Sequence, residues 1–329
     1  MKSRRMLGMA MCGLLALGGP AVAKEGLGIG RGIDHVAFLV RLENFDDARD
    51  VLTRQLGFSA TPVLVSPAGV ENRVIWFDDL SYLELDTFTE RNPSTAPFLD
   101  FLANHEGAKF YGTEVVDAAQ AVAFLDGAGY PNVGPFPASP LTIQSTGQVV
   151  GLTPLWTVII LTQRLAPDNS NFFIDYDEAQ VQQLFADVPA LAPRPHLNTA
   201  ERIDTVWLVV SDLDSAIGFY TGLGLEVEAR NERIDYLGAR GARVPYHNAT
   251  LTLLQPDGPG LVADFAADRG EGILGVSLAV RDLDFARRLV QGNTQLTLPI
   301  FPFHGRDRFL IPASLTHGVL IEMVEQSPR

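Results

Sequence analysis

Cysteine is almost absent from this chain, because Cys12 is the only one among 329 residues. Cys12 lies in the apolar N-terminal segment that we predict to be removed, so the mature chain would have none. Disulfides, thiolate metal ligands and cysteine nucleophiles are therefore excluded. Basic residues are also scarce, with 25 Lys and Arg against 39 Asp and Glu and a net charge of -14. Such an acidic protein should repel nucleic acid, which we exclude as a partner.

Long apolar runs are absent after the N-terminal segment, and none approaches the ~20 apolar residues that a membrane-spanning helix needs. Residues 1–23 have the three parts of a secretory signal: the basic MKSRR, an apolar stretch, and the small AVA that ends at Ala23. We therefore expect a periplasmic or secreted protein with a short leader over 24–31 and no membrane span after cleavage. The pair Arg4 and Arg5 leaves twin-arginine export open beside the general secretory route.

A repeated phrase organises the rest of the sequence. GIDHVAFLVRLENFDDA begins at Gly32, RIDTVWLVVSDLDSA at Arg202 and GILGVSLAVRDLDFA at Gly272. Each copy alternates apolar residues as a half-buried strand does, and then passes an Asp-rich turn into a helical run. A fainter copy, FYGTEVVDAAQAVAFLDGAGY, aligns Tyr111 with His35. The repeat therefore predicts four strand-turn-helix modules.

The distance from the fourth residue of a phrase to a later strand is nearly constant. It is 49 residues from His35 to Glu84, and 47 residues both from Thr205 to Thr252 and from Gly275 to Glu322. Each module is thus predicted to continue from its helix into further strands.

The segment NRVIWFDDLSYLELDTF follows GIDHV, and a tryptophan-containing strand and FFI come later. In this order the phrases resemble the vicinal oxygen chelate superfamily of glyoxalases, bleomycin-resistance proteins and extradiol dioxygenases, and within it the glyoxalase-like domain subgroup. The resemblance implies an α+β fold, with four βαβββ modules paired into two open-barrel domains. It also implies that the first and last strands of two modules line one cleft, which must carry any function.

The paired modules predict two glyoxalase-like domains, over residues 32–180 and 201–329. Residues 181–200 are interpreted as a linker, because VPALAPRPHLNTAE has three prolines and no periodic hydrophobicity. PNVGPFPASP is too rich in proline and glycine for a central strand, so we predict an exposed loop near the cleft mouth.

Two residues of the first module are candidate metal ligands. Alternation in a strand puts His35 and Ala37 on one face, and the same parity groups Tyr82, Glu84 and Asp86. Imidazole nitrogen and carboxylate oxygen suit zinc, manganese, iron or nickel. The resemblance implies that a first-strand His and a last-strand Glu supply such ligands, and His35 and Glu84 match those positions. The alternatives are a hydrogen-bonded strand histidine and a glutamate on an exposed edge strand.

The second module offers fewer ligands. Tyr111 aligns with His35, where a second ligand would help. In NFFIDYD the counterpart of Glu84 is Phe173, Ile174 or Asp175, and of these only Asp175 could bind a metal. The predicted metal set is therefore His35, Glu84 and Asp175, and Glu84 and Tyr111 are the predicted catalytic residues. The alternative for Asp175 and Tyr111 is a structural role. A divalent metal is thus a candidate cofactor, although the two ligands that match family positions, His35 and Glu84, are by themselves too few for a tight site.

In the second half the same four positions are occupied by Thr205, Thr252, Gly275 and Glu322, which form a poor coordination set. We predict no family-type metal site there. This half is expected to stabilise the first domain or provide an interface, while its cleft could still bind an apolar molecule.

Three functions remain open on the sequence. The first is an exported, metal-dependent lyase or isomerase that acts on a small oxygenated substrate in the N-terminal cleft. The second is a metal-free protein that binds or sequesters a small molecule, as bleomycin-resistance proteins do. The third is a partner-binding protein without activity, whose strand edges could pair in a homodimer.

Overall fold

The computed structural model describes residues 32–166 and 170–326. The predicted signal segment 1–23 and leader 24–31 lie outside the described residues. Within the described ranges, no helix is long and apolar enough to cross a membrane.

Two modules form the N-terminal half. The first consists of β1 Gly32–Leu39, α1 Phe45–Asp50, β2 Leu64–Val65, β3 Val70–Trp76 and β4 Tyr82–Phe88. A connecting helix, α2, spans Ala96–Asn104. The second module consists of β5 Gly107–Glu114, α3 Ala118–Ala128, β6 Asn132–Pro137, β7 Leu141–Ile143, β8 Val149–Val150, β9 Trp156–Leu161 and β10 Ser170–Tyr176.

The C-terminal half repeats this plan after the helix α4 Glu178–Asp187 and a 3-10 turn at Pro189–Leu191. The third module consists of β11 Ala200–Val209, α5 Leu213–Gly222, β12 Glu228–Ile234, β13 Ala239–Pro245 and β14 Thr250–Pro256. The helix α6 Leu261–Arg269 leads to the fourth module, which consists of β15 Gly272–Val280, α7 Leu283–Thr294, β16 Phe301–Phe303, β17 Arg306–Ile311 and β18 Leu320–Glu325.

Each pair of modules shares one sheet. The N-terminal sheet has the order β6-β9-β10-β5-β1-β4-β3-β2-β7-β8, and the C-terminal sheet the order β12-β13-β14-β11-β15-β18-β17-β16. The first strands of the two modules pair antiparallel, while within a module the first strand runs parallel to the last. This arrangement confirms the predicted α+β fold with paired βαβββ modules.

One apolar core is shared by the two halves, on the helix side of both sheets. It includes Val36 and Leu83 of the N-terminal sheet and Val206 and Leu251 of the C-terminal sheet, which are all buried. Burial of apolar surface is the main stabilising contribution, at about 25 cal/mol per Å². The two sheets are therefore held together by a common interior and not only by the chain that links them.

The opposite face of each sheet lines a cleft. In the N-terminal cleft, Phe101 and Leu102 of α2 pack against Leu39 and Phe88 and fill one end. In the C-terminal cleft, Val262 of α6 packs against Leu254 and Leu274 and likewise fills one end. Both connecting helices thus leave the polar end of their cleft open.

The aspartates of the repeated phrase have a structural role. Asp117, Asp212 and Asp282 are the N-cap residues of α3, α5 and α7, and each side chain accepts a hydrogen bond from the backbone N–H three residues later. Such caps satisfy a helix N–H that has no partner within the helix. The repeat therefore marks helix starts.

Two segments differ from their prediction. Part of the predicted linker is helical, and Leu184, Val188 and Leu191 pack against the strands β2 and β7 near one edge of the sheet. The predicted loop PNVGPFPASP contains β6, the outermost strand of its sheet. Proline is tolerated there because one side of an edge strand needs no backbone donor.

Candidate functional site

A β-bulge at the start of β1 brings two adjacent residues to the N-terminal cleft. Ile33 pairs with Thr113 and His35 pairs with Gly112, so the register shifts between Ile33 and His35 and leaves Asp34 as the extra residue. A bulge of this kind re-aims a side chain that would otherwise face the far side of the sheet.

Asp34 and His35 form a tight pair. The distance from His35 Nδ1 to Asp34 Oδ2 is 2.5 Å, and both side chains are buried. Because a carboxylate oxygen accepts, Nδ1 carries the proton and donates it. The other ring nitrogen, Nε2, lies 3.9 Å from Glu84 Oε2. The imidazole therefore stands between two carboxylates from two neighbouring strands.

Asn72 holds Glu84 from the next strand. Its Nδ2 donates to Glu84 Oε1 over 2.6 Å. Asn72 is a neutral partner, so it fixes the carboxylate without neutralising it. Asn72 thus orients the Glu84 carboxylate beside His35.

Two tyrosines complete the polar row. Tyr176 donates from its hydroxyl to Asp34 Oδ2 over 3.1 Å, and its oxygen lies 3.2 Å from the hydroxyl of Tyr82. The Tyr82 ring also stacks on the His35 ring, with 4.7 Å between centroids, and the edge of Phe110 faces His35 at 5.8 Å. Aromatic packing therefore fixes the plane of the imidazole.

Gly112 allows this packing, because a Cβ at that position would lie 2.4 Å from His35 Cε1. The ring of His35 occupies the space that a side chain on β5 would need. Glycine at 112 is thus a requirement of the close approach.

The electrostatic setting favours the protonated imidazole. Burial alone lowers the pKa of His35, but the hydrogen bond and charge of Asp34 and the charge of Glu84 outweigh it, so the pKa of His35 is raised. Burial also raises the pKa of Glu84, against the opposing effects of His35 and Asn72. Both shifts move the pair toward holding a proton at neutral pH.

Asp86 lies deeper on the same face of β4. It is 3% exposed, and its Oδ1 has no hydrogen-bond partner within the described residues. Burial, aided by the charge of Glu84, raises the pKa of Asp86 well above its ordinary value. Burial therefore favours the neutral carboxylic acid form of Asp86.

A cavity of about 1010 Å³ opens above the row. Asp34 and Tyr176 contribute its polar floor, and Trp76 and Phe185 contribute aromatic walls. The third module closes it from the other side with Arg202, His247 and Asn248. The cavity can therefore present an apolar body of a ligand to the walls and a polar group to Asp34 and Tyr176.

The structure brings together two of the residues predicted from the sequence, His35 and Glu84. Asp175 does not join them, because its Oδ2 accepts a hydrogen bond from Ala118 N at the start of α3. Tyr111 does not join them either. It is buried in the core on the other side of the sheet, where its hydroxyl lies 2.8 Å from that of Tyr220.

The register of the second module explains both differences. Phe110, which contacts His35, faces the cleft, and its sequence neighbour Tyr111 faces the core. A shift of one residue in a strand moves every side chain to the opposite face. On β10, likewise, Phe172 packs against Phe110 in the cleft while Asp175 lies on the helix side.

A divalent metal does not fit the residues present. The described residues contain no group of three His, Cys, Asp or Glu side chains that could hold an ion. His35 Nδ1 is bound to Asp34, and the second module supplies Phe110, Gly112 and Phe172 to this part of the cleft. The chemistry of this cleft is therefore derived from protein side chains alone.

Asp34, Asn72 and Tyr176 were missed by sequence reasoning. Strict alternation places Asp34 on the core side, and a bulge is not visible in the apolar pattern. Tyr176 lies two residues after Ile174, so correct parity on β10 would have identified it.

The chain is similar to one family model and to several solved structures. The family model described as glyoxalase-like domain matches residues 33–224. A variant of 4-hydroxymandelate synthase from Streptomyces coelicolor superposes with a TM-score of 0.59 and 13% identity, over 91% of this chain and 93% of that chain. A hypothetical protein from Staphylococcus aureus gives a TM-score of 0.58 and 10% identity, over 89% and 98%.

Shorter structures match one part of the chain. Methylmalonyl-CoA epimerase from Mycobacterium tuberculosis is 27% identical over 40% of this chain and 91% of its own, with a TM-score of 0.35. No curated protein sequence matches the chain significantly. The two structures with TM-scores of 0.58 and 0.59 show the fold.

Proposed function

Because this chain belongs to the glyoxalase-like domain family of the vicinal oxygen chelate superfamily, we propose that its N-terminal cleft is an active site for proton transfer on a small oxygenated molecule. The observation that carries this proposal is the row Asp34–His35–Glu84 with Asp34 on the floor of the cavity. The reaction class is that of a lyase or isomerase that works by general acid–base catalysis.

Asp34 is the general base in this proposal. It faces the cavity and can take a proton from a substrate carbon next to a carbonyl group. His35 is held against Asp34 and faces Glu84, so it shares the proton and disperses the charge of the row. Return of the proton to a different atom of the enolate, or to the opposite face of the same carbon, completes an isomerisation, and loss of a leaving group from the neighbouring carbon instead completes an elimination.

In this proposal the Tyr176 hydroxyl, which donates to Asp34 Oδ2 in the structure, turns to the substrate oxygen and donates to it once Asp34 has taken up the substrate proton. Burial raises the pKa of Tyr176 well above its ordinary value, so the hydroxyl keeps its proton at neutral pH. A donor fixed next to the base can stabilise the negative charge that forms on a carbonyl oxygen when the neighbouring carbon loses a proton. Trp76 and Phe185 would hold the apolar part of the substrate.

Hydrogen exchange tests this proposal directly, whatever the product is. Small aldehydes, ketones and hydroxy ketones are incubated with the protein in D2O, and proton NMR follows the loss of the hydrogen next to the carbonyl. We expect exchange with the native protein and at least about tenfold slower exchange with Asp34→Asn, on the scale of a lost general base. The matched control Asp175→Asn removes a carboxylate charge on the other side of the sheet and should exchange normally.

A second candidate function is ligand binding without turnover. It is favoured by the burial of His35, which is 5% exposed, and by the aromatic walls of the cavity. Ligands that bind at the cavity of the native protein, as shown by changes in tryptophan fluorescence, without any hydrogen exchange would support this function and overturn the enzymatic one.

A further inference from the structure

A second, smaller cavity lies in the C-terminal cleft and has a different chemical lining. Its volume is about 150 Å³. Glu322 and Arg308 form its buried part, with 1% and 7% of their surfaces exposed, while Arg243 and His304 stand at its more exposed side. The proposed proton-transfer row lies in the other cleft, so this cavity is independent of it.

Glu322 uses one of its two carboxylate oxygens. Ser277 Oγ donates to Glu322 Oε2 over 2.5 Å, and Arg308 Nη1 donates to the same oxygen over 3.1 Å. The other oxygen, Oε1, has no hydrogen-bond partner in the part of the chain that the structure describes. A buried acceptor without a donor is rare in folded proteins, which points to a missing partner.

Two arginines leave donors unused in the same cavity. Arg308 donates from Nη2 to the carbonyl of Phe303 over 2.7 Å, but its Nε has no partner among the described residues. Arg243 Nε also has none there, because Glu232 Oε2 is 3.6 Å away. Both Nε atoms are shielded from solvent.

The other charged groups around this cavity are already paired. Asp204 accepts hydrogen bonds from Arg306 at 3.0 to 3.1 Å and from Arg202 at 3.0 Å. Glu232 lies 2.9 Å from His304 Nε2. Among the described residues, the buried side-chain atoms of this lining that lack a hydrogen-bond partner are thus two donors and one acceptor.

We propose that the C-terminal cleft binds a small carboxylate that carries a hydrogen-bond donor on the adjacent carbon. The carboxylate oxygens accept from Arg308 Nε and Arg243 Nε, and the hydroxyl or ammonium group of the ligand donates to Glu322 Oε1. One such molecule satisfies all three atoms, which neither a simple carboxylate nor a neutral amide does.

The size of the cavity agrees with this ligand class. A cavity of about 150 Å³ accommodates a ligand the size of benzene, with about six non-hydrogen atoms. Lactate and alanine have this size. Trp207, Tyr236 and Phe303 also line the cavity and provide apolar contacts for a methyl group.

The internal repeat shows that this chemistry is particular to the second half. Glu322 on β18 pairs with Ser277 as Glu84 on β4 pairs with Ala37, so the two glutamates occupy the same place in their modules. In the first module the neighbouring strand contributes Asn72, whereas in the fourth it contributes Arg308. A charged guanidinium in place of a neutral amide favours an anionic ligand.

Isothermal titration calorimetry with four matched compounds tests the proposal. Lactate carries the charge and a hydroxyl donor, alanine the charge and an ammonium donor, propionate the charge alone, and lactamide the hydroxyl alone. We expect lactate or alanine to bind with a Kd of about 10 mM or lower. Propionate and lactamide should bind at least about tenfold more weakly, because each leaves one group of the site unmet.

Variants locate the binding. Arg243→Gln lies on the more exposed side, so it should fold, and it should weaken binding about tenfold or more. Arg233→Gln is the matched control, because Arg233 is an exposed arginine of the same sheet outside the cavity. Glu322→Gln should reduce the preference for lactate or alanine over propionate.

The proposal is overturned by any of three results. The first is absence of heat for both lactate and alanine with the folded native protein. The second is equal affinity for lactamide and lactate. The third is equal affinity of Arg243→Gln and Arg233→Gln, which would place the ligand elsewhere.

Discussion

His35 takes its acid–base character from Asp34, its neighbour in the chain. Most buried histidines lose their proton, and His196 follows that rule, since burial lowers its pKa to about 4. His35 is buried too, yet the hydrogen bond from Nδ1 to Asp34 and the nearby Glu84 raise its pKa. The pKa values of two histidines in one protein are thus moved in opposite directions, and the difference is the Asp34 carboxylate that is hydrogen-bonded to the His35 ring.

At this scale the sequence predicted two members of the row and missed the others. His35 and Glu84 could be found because they match family positions and share strand parity. Asp34 could not be found, because the bulge that turns it into the cleft depends on pairing between β1 and β5. Pairing irregularities are long-range features that local alternation does not encode.

Gly112→Ala should disrupt the row without removing any of its members. The new methyl group would lie 2.4 Å from His35 Cε1, so the ring must move. We expect a loss of about 1–3 kcal/mol in the free energy of unfolding, typical of an overpacked core. The control Gly127→Ala in α3 meets nothing within 4 Å and should be stabilising by about 0.5–1 kcal/mol. Urea unfolding measures both, and equal effects would contradict the close packing.

Asp86→Asn should stabilise the protein at high pH. Because the folded-state pKa of Asp86 is raised by burial, its contribution to stability is full at acid pH and declines as pH rises toward that pKa. Asparagine does not titrate, so the variant should gain roughly 1 kcal/mol over the native protein at about pH 8 and little at about pH 4. Urea unfolding of both proteins at the two pH values measures the difference. A larger gain in stability for Asp86→Asn at the acid pH would contradict the prediction.

At the scale of elements, strand parity decides which predictions are correct. The repeated phrase predicted the modules and their strand-turn-helix order, because alternation and aspartate caps are local signals. It misplaced the second module by one residue, so Tyr111 was expected in the cleft where Phe110 stands. Register is fixed by neighbouring strands and by core packing. The faint copy of the phrase in the second module does not reveal either of them.

Asp175 stabilises the start of a helix. Its Oδ2 accepts from Ala118 N, the first residue of α3. Asp175→Ala should therefore cost about 0.5–2 kcal/mol in the free energy of unfolding, as for other lost helix-capping interactions. Asp175→Asn keeps an acceptor oxygen, so its loss in the free energy of unfolding should be smaller. Thermal unfolding followed by circular dichroism measures both variants. Loss of cleft activity in Asp175→Asn without loss of stability would contradict this assignment.

At the scale of the whole molecule, the two halves share a core and one cavity. The apolar cluster runs through both sheets, and the N-terminal cavity is partly lined by the third module. Asn248 joins the halves directly, because it accepts from Ile33 N and donates to Ile33 O, each over 2.9 Å. The sequence predicted two domains, but not that the second would complete the cavity of the first.

The native protein should therefore unfold in one cooperative transition by differential scanning calorimetry. Asn248→Ala leaves the N–H and C=O groups of Ile33 without their partner, so it should cost about 1–3 kcal/mol and keep a single transition. Two separate transitions in the native protein would contradict the shared core.

Export stays a prediction that the described residues do not bear on. We propose that the chain is cleaved after Ala23 and acts outside the cytoplasm, and N-terminal sequencing of the mature protein would test the cleavage site. A homodimer is likewise a prediction, and the mass of the native protein in solution would decide it.

The central claim is that Asp34, His35 and Glu84 act as one acid–base unit, and nitrogen-15 NMR titration of the histidine rings tests it most directly. The chain has six histidines, and His35→Gln identifies the signal of His35. We predict a pKa for His35 above the unperturbed value of about 6.5, and a fall of this pKa in Asp34→Asn but not in Asp175→Asn. A His35 pKa at or below the unperturbed value, or one that Asp34→Asn leaves unchanged, would contradict the account.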